Sequence, residues 1–323
     1  MRHSWIGLLR CLLFAGPVPG LAQLPPAKPA FTVVPLGVKG GLAEGNLSAY
    51  LVAAAGSQNF ICLDAGSLRP GVEKAVAAGV FAVPADTVLR RYVRAYFISH
   101  AHLDHVAGLL LNAPNDTAKP IFGLPDCLTT LQQDYFNWRA WPNFADAGAA
   151  PALGKYALRP LQPGQETAVP GTNLRVRAFA LSHARPYQSA AFLVRNADNQ
   201  YLLYLGDTGA DAVEPSTRLR ELWQAVGPLL RGGQLRAIFI EASYPNAQPT
   251  RQLYGHLTPT LLLREMAALA EVAGEAALRG LPVVVTHLKP GANNEALIRR
   301  ELEQANSLRL RLIFPEQGQR LAF

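Results

Sequence analysis

Four side chains able to bind a metal lie within six consecutive positions: His100, His102, Asp104 and His105, in the run Ser99-His-Ala-His-Leu-Asp-His-Val-Ala-Gly108. Alternation along an extended segment puts His100 and His102 on one side. Asp104 and His105 open the following helix and can face a second ion. Imidazole and carboxylate suit zinc, with iron or manganese as the other candidates. Cysteine is absent from the run, and its oxygen ligands are too few for calcium.

The remaining histidines belong to the same argument. The chain has 7 histidines, and besides the cluster and His3 they are His183, His256 and His287. These follow Leu181-Ser182, Tyr254-Gly255 and Val285-Thr286, each at a strand end or in a loop. A histidine on an apolar face is usually a satisfied core residue, but gathering nearly all of them at strand ends is hard to explain structurally. His183 and His287 are therefore candidate ligands, and His256 a candidate site residue. Asp207, in Gly206-Asp-Thr-Gly209 after the apolar run Tyr201 to Leu205, offers a carboxylate on a tight turn. An ordinary Asx turn capping the helix near Thr217 would explain it too. With two cations to neutralise, a bridging carboxylate is the stronger reading. Asp64, in Leu63-Asp-Ala-Gly66, is expected behind a metal-bound histidine as its hydrogen-bond partner.

The elements that must hold these groups can be read from apolar patterning. Strands are expected at 31–37, 48–54, 59–64, 95–99, 174–181, 190–195, 201–205, 237–240, 283–286 and 310–314. Helices are expected at 71–78, 105–111, 126–135, 217–230, 258–272 and 294–307. Asp64, Ser99-His100, Asp207, Glu241 and His287 then each fall where an apolar strand ends, so the functional groups converge on one rim. Strands in a run, then a helix, then strands and helices again imply mixed sheets covered by helices. No internal repeat is visible.

At 323 residues, 50% of them hydrophobic, the chain can bury a substantial core. Met1-Arg-His3, a short apolar stretch from Trp5 to Phe14, and Gly20-Leu-Ala22 have the order of a signal peptide over residues 1–22, leaving a domain over 23–323. That implies a periplasmic or secreted product with no stable membrane association. Arg10 before Cys11 argues against a lipid anchor, which needs a small residue there. Cys62 and Cys127 would remain in an oxidising compartment where pairing is chemically allowed. Cys62, inside Phe60-Ile-Cys-Leu63, suits a small buried hydrophobe. The net charge of +7 falls to about +5 once Arg2 and Arg10 are set aside, and it is carried by scattered arginines. That favours a small anionic substrate and argues against a nucleic-acid polymer, which wants a clustered basic stripe.

Beyond the cluster, the phrase His100-Ala-His-Leu-Asp-His-Val-Ala-Gly-Leu-Leu-Leu-Asn-Ala-Pro114 resembles the signature of class II 3′,5′-cyclic-nucleotide phosphodiesterases, within the metallo-β-lactamase superfamily. Gly40-Gly-Leu-Ala-Glu-Gly-Asn-Leu-Ser-Ala-Tyr50, Trp141-Pro-Asn-Phe144, Leu205-Gly-Asp-Thr-Gly209, Gly255-His-Leu-Thr-Pro259 and Thr286-His-Leu-Lys-Pro290 are similar to the same family. One departure is Asn112, where the motif usually has serine. The resemblance implies an α/β αββα sandwich of two mixed sheets flanked by helices. It implies two divalent ions, most simply Zn2+, one held by His100, His102 and His183, the other by Asp104, His105 and His287, with Asp207 bridging. Two cations sharing a water would supply hydroxide at neutral pH for in-line attack on the phosphorus of cyclic AMP, or of cyclic GMP, giving the 5′-nucleotide. Asp104, His256 and Glu241 are the catalytic candidates, with His256 contacting the phosphate or protonating the leaving oxygen and Glu241 orienting it. Asn46, Ser48, Trp141 and His256 are the candidate substrate contacts. Gly40-Gly41 and Asn46 to Ser48 would form a loop over the pocket, and Phe136, Trp138 and Trp141 could offer a stacking face to a purine.

The expected partner is thus a small cyclic nucleotide, with a homodimer also compatible. Two other readings remain open. One keeps the site but changes the substrate to another ester, a lactone, a thioester or a β-lactam, with an RNA 3′ end disfavoured by the absence of a basic arm. The other is a zinc-binding protein without catalysis.

Overall fold

The computed structural model describes Met1, His3 and residues 28–323. Apart from Met1 and His3, the expected signal peptide, Cys11 included, lies outside the described residues. Among the described residues no helix is long and apolar enough to cross a membrane.

Two seven-stranded sheets pack face to face. The first contains β1 (Phe31–Gly37), β2 (Ala49–Ala54), β3 (Phe60–Leu63), β4 (Val93–Ile98), β5 (Lys119–Gly123), β6 (Tyr156–Pro160) and β14 (Leu321–Ala322), in the order β14-β1-β2-β3-β4-β5-β6. The second contains β7 (Glu166–Ala168), β8 (Arg175–Ser182), β9 (Gln188–Arg195), β10 (Tyr201–Leu205), β11 (Leu235–Glu241), β12 (Pro282–Thr286) and β13 (Arg311–Ile313), in the order β13-β12-β11-β10-β9-β8-β7. Each sheet is antiparallel at one end and parallel at the other: β3 to β6 run parallel in the first, β10 to β13 in the second. The two halves of the chain thus repeat one plan, although the sequence shows no repeat.

Helices cover both outer faces. Over the first sheet lie α1 (Arg69–Ala77), α2 (Ala85–Thr87), α3 (Leu103–Asn112) and α4 (Pro125–Thr130), where Val72, Val106, Leu109 and Leu128 join Leu51, Tyr96 and Ile98. Over the second lie α5 (Arg218–Arg231), α6 (Pro259–Ala273), α7 (Glu275–Leu278) and α8 (Asn294–Ala305). The buried stripe Leu219, Leu222, Trp223, Val226 and Leu230 of α5 follows helical periodicity. Thr258 caps α6 by accepting from Leu261 N, and Pro259 occupies its first turn. A third apolar layer fills the space between the sheets, with Tyr50, Phe97, Phe122, Phe192, Tyr204 and Phe239 at its centre. The layers are therefore helix, sheet, sheet, helix.

Central strands such as β10 (YLLYL) and β12 (PVVVT) are almost entirely buried, because a strand sandwiched on both faces is apolar at every position. That is why they were readable. The strands not foreseen are β5, which opens on Lys119 and Pro120, the polar β7, and the edge strands β6 and β14. The helix expected over 126–135 is α4 followed by a wider turn from Leu131 to Tyr135. Cys62 and Cys127 are both buried free thiols, and burial raises both pKa values.

Candidate metal centre

Most groups of the centre sit at strand ends on one rim. His100 follows β4, His183 follows β8, Asp207 lies just past β10, Glu241 ends β11 and His287 follows β12. His102 is the N-cap of α3, so Asp104 and His105 occupy its first turn. His256 comes from the loop before α6, beside Gly255.

The structure brings these side chains together in four groups that share members, two of them being His183, Asp207 and His256, and Glu241, His256 and His287. Nitrogens of His100, His102 and His183 converge: His100 Nε2 and His102 Nδ1 face each other at 3.0 Å, and His183 Nε2 lies 3.4 Å from the same His102 Nδ1. The second group is Asp104, His105, Asp207 and His287. There His287 Nε2 is 3.2 Å from Asp104 Oδ2 and 3.2 Å from Asp207 Oδ2, while His105 Nε2 is 3.3 Å from Asp207 Oδ1. Asp207 also reaches the first group, with Oδ2 3.8 Å from His100 Nε2 and 3.9 Å from His183 Nε2. It therefore stands between the two. The alternative role for Asp207, capping the helix after Thr217, belongs instead to Asp211, whose carboxylate accepts from Leu219 N at 3.1 Å and Arg220 N at 2.9 Å.

These residues suit a divalent cation. The buried His105 Nε2 has no hydrogen-bond partner of acceptable geometry despite its nearness to Asp207. Three ring nitrogens crowd one space, and the donor set is imidazole and carboxylate. Outward-facing nitrogens are held in turn: His105 Nδ1 to Asp64 Oδ2 at 2.8 Å, His183 Nδ1 to Gly255 O at 2.9 Å, and His100 Nδ1 to Ser99 Oγ at 3.0 Å. Such partners fix which nitrogen is free to coordinate.

Electrostatics separates the two groups. Burial, reinforced by the neighbouring histidines, lowers the pKa of His100 and takes that of His102 down to about 4; burial also lowers His183. These rings are neutral at pH 7, as ligands must be. Burial opposes protonation of His105 too, but Asp207 and Asp64 outweigh it and raise its pKa. Burial likewise opposes ionisation of Asp104 and Asp207. The hydrogen bond from His287 to Asp104, and the charges of His287 and His105 beside Asp207, still hold both carboxyls well below their usual range.

Asp64 is fully buried behind the centre. It accepts from Ser99 N (2.7 Å), Ser99 Oγ (2.8 Å) and Tyr204 Oη (2.6 Å) besides His105. Its backbone has φ 53°, a left-handed conformation tolerated best by Asp, Asn and Gly. Glu241 takes the corresponding place on the second sheet. It accepts from His256 Nδ1 (2.9 Å), Thr208 N (2.8 Å), Leu257 N (3.2 Å) and the Ser243 hydroxyl. Burial depresses the pKa of His256, but the Glu241 carboxylate outweighs this and raises it.

The proposed substrate contacts fare differently. Asn46 Oδ1 accepts from Val38 N at 3.0 Å and the buried Ser48 hydroxyl reaches Lys39 O, so both side chains brace the loop between β1 and β2. The same loop donates Gly41 N to Asp104 Oδ2 at 2.8 Å, and Gly40 lies so close to His287 that a Cβ would fall 2.2 Å from its ring. Trp141 packs on the outer core of the first sheet, Phe136 lies within it, and Trp138 donates Nε1 to Pro151 O. One aromatic at the histidines is Tyr187, which sequence reasoning passed over: its ring stacks on His102 at 4.6 Å, tilted by 6°. Its place four residues after His183 was the available signal.

Over residues 82–318 the chain matches the family described as cAMP phosphodiesterases class-II. The chain belongs to that family. A 3′,5′-cyclic-nucleotide phosphodiesterase of Aliivibrio fischeri is 39% identical over 91% of this chain and 93% of its own. Among solved structures, unliganded yeast PDE1 superposes with a TM-score of 0.79 at 23% identity, covering 91% of this chain and 100% of that one. The metallo-β-lactamase fold protein YhfI from Bacillus subtilis superposes at 0.60 with 18% identity, over 92% and 100% of the two chains. This class II phosphodiesterase family member therefore has the metallo-β-lactamase fold, with a histidine and aspartate cluster suited to divalent metal at its rim.

Proposed function

We propose that the protein is a metal-dependent 3′,5′-cyclic-nucleotide phosphodiesterase that hydrolyses cyclic AMP, with cyclic GMP as a second substrate, to the 5′-monophosphate. The observation that supports it most is Asp207, a carboxylate standing between two histidine groups in a chain of this family. His100, His102 and His183 would hold one ion and Asp104, His105 and His287 the other, with zinc suited to these ligands. When bound, two such cations lower the pKa of an attacking water and neutralise charge on the phosphoryl oxygens.

The chain's own residues would do the rest. Asp207 would keep the two ions at a fixed separation. Gly41 N–H, bonded to Asp104, would hold that carboxylate in one orientation. His256, with Nδ1 fixed on Glu241, is left with Nε2 for the substrate. Because the carboxylate keeps its pKa high, it can carry the proton required by the departing 3′ oxygen. The N-terminal sequence supports a periplasmic or secreted location.

The test is hydrolysis by the purified, metal-loaded chain of a panel of cyclic AMP, cyclic GMP, a 2′,3′-cyclic nucleotide and a β-lactam, with and without a chelator. Chelator-sensitive conversion of cyclic AMP to 5′-AMP is expected. Turnover of another substrate with cyclic AMP untouched would overturn the assignment.

A further inference from the structure

Two residues beyond His287 the rim carries a cation without a partner. Lys39 pairs with Glu295, Lys119 with Asp116, and Lys155 donates to the carbonyls of Ala113 and Pro114. Lys289 is half-buried, yet among the described residues no carboxylate or carbonyl receives its ammonium; it meets the face of Tyr244 instead, with Nζ 5.4 Å from the ring centroid. The backbone fixes its place. His287 has φ 55°, and the chain leaving it buries Leu288, whose carbonyl accepts from Gly40 N at 3.3 Å, while Lys289 N donates to Ser243 O at 3.2 Å. The side chain then runs between two parts of the rim that touch the centre. On one side its Cδ comes 3.9 Å from where a Cβ of Gly41 would stand, and Gly41 N holds Asp104. On the other is Tyr244, whose ring lies 5.9 Å from that of His256.

A half-buried ammonium gives up part of its hydration. A structural lysine recovers the loss by pairing, as Lys119 does with Asp116 and Leu89 O. The Tyr244 ring attracts the Lys289 cation and restricts its stem, but a π face has no lone pair to accept its three donors. A ligand with an anionic oxygen would supply what is missing. Lysine suits such a ligand as a compact point charge on a flexible stem, able to follow a phosphoryl oxygen that changes direction as the phosphorus centre reacts. It offers nothing comparable to an uncharged group. The stem also explains a glycine. At Gly41 the backbone has φ 67°, which L side chains rarely adopt, and a side chain there would crowd the lysine.

We propose that Lys289 is a substrate-binding residue whose ammonium receives a non-bridging phosphoryl oxygen of an anionic phosphate ester, with Gly41 and Tyr244 aiming its stem. The assignment deepens the phosphodiesterase reading and rests on it for the reaction, but the binding of a phosphate anion can be measured without turnover. It also separates Lys289 from the residues that hold metal. Loss of its charge should weaken anions and leave metal content alone. A lysine that only solvates the surface would show no dependence on the charge of the ligand.

The experiment uses the full chain loaded with zinc. Inorganic phosphate, 5′-AMP and uncharged adenosine are titrated by calorimetry, and the kinetics of cyclic AMP hydrolysis are followed in parallel. Lys289→Met, which keeps the stem and removes the charge, should weaken phosphate and 5′-AMP by about 10-fold, the scale of one charge-assisted hydrogen bond. KM for cyclic AMP should rise by a similar factor, with kcat little changed and zinc content unaltered. Adenosine should bind the two proteins equally weakly. Added salt should lower phosphate affinity less steeply in Lys289→Met than in the unsubstituted chain, and Lys289→Arg should recover most of the lost affinity. Lys289→Gln serves the same comparison if the methionine variant does not fold. Unchanged phosphate affinity in Lys289→Met or Lys289→Gln would overturn the proposal. So would an equal loss of adenosine binding, or a loss in Lys289→Arg as large as in Lys289→Met. Failure of the unsubstituted chain to hydrolyse cyclic AMP would instead count against the substrate assignment alone, because phosphate binding still reports on the lysine.

Discussion

The two halves of the molecule build their shares of the centre in opposite ways. The first half concentrates its candidate ligands in one turn, with His100, His102, Asp104 and His105 running from the end of β4 into α3. The second half contributes single residues from separate connections: His183 after β8, Asp207 after β10, His256 before α6 and His287 after β12. Their buried carboxylates differ as well. Asp64 accepts from Tyr204 of the opposite sheet as well as from Ser99 and His105, so it ties the two layers together. The partners of Glu241 all lie in the second half, at Thr208, Ser243, His256 and Leu257. One carboxylate therefore joins the two sheets as well as holding a histidine, while the other holds only groups of its own half.

The sharpest way to break this contrast is to remove the residue shared by both groups. Asp207→Ala should lower turnover of cyclic AMP by roughly 10^3-fold or more, as expected when a group acting in concert with others is lost. Metal analysis should show incomplete loading. Full loading with near-normal turnover would mean that the groups do not depend on a common bridge.

Glu241→Gln and Asp64→Asn separate the two carboxylates. With Gln at 241 the charge that raises the pKa of His256 is gone. His256 then loses its proton at lower pH, and the alkaline limb of the rate profile moves toward acid. Turnover should fall by about 10^2-fold, the scale of a lost general acid. Asp64→Asn keeps the left-handed backbone accessible but cannot accept from all of its donors. It should lower folding stability by about 3 kcal/mol in chemical unfolding of the metal-free chain. A shifted rate profile in Asp64→Asn, without loss of stability, would erase the distinction.

The smallest effect expected is in the order of metal release. Burial holds His102 at about 4 and also lowers His100 and His183, whereas His105 takes a proton more readily than a free imidazole. As pH falls from 7.5, protons should therefore displace the ion at Asp104, His105 and His287 first. The ion at His100, His102 and His183 should persist to lower pH. Equilibrium dialysis at stepped pH would show two releases, and simultaneous loss would refute the asymmetry.

The same contrast explains what the sequence made legible. A dense run of ligands is visible in a string of letters, and apolar strands such as β10 and β12 mark where single ligands must emerge. Asp64 and Glu241 could be suspected from their places at strand ends. Ser243 and Tyr204 could not, because a lone hydroxyl carries no signal until the fold shows what lies opposite it. Tyr187 was lost for a related reason: one aromatic in a loop is unremarkable until its ring is seen against His102. Trp141 was ambiguous by its letter alone, since a tryptophan beside a proline suits an outer core as well as a binding face, and its ring packs on the outer core of the first sheet. Strands β5 and β7 escaped because a buried lysine with a proline, or a three-residue edge strand of Glu, Thr and Ala, imitates a loop.

The aromatic layer between the sheets, where Phe97 stacks on Phe122 at 4.7 Å and meets Phe192 edge-on at 5.6 Å, acts like the beam of a calliper. The jaws are the strand ends of two sheets from different halves of the chain, and the gap they set is the spacing between histidines. Core substitutions remote from the rim would thus alter that calibration, and the tightness with which the protein grips its ions would measure how squarely its two layers close.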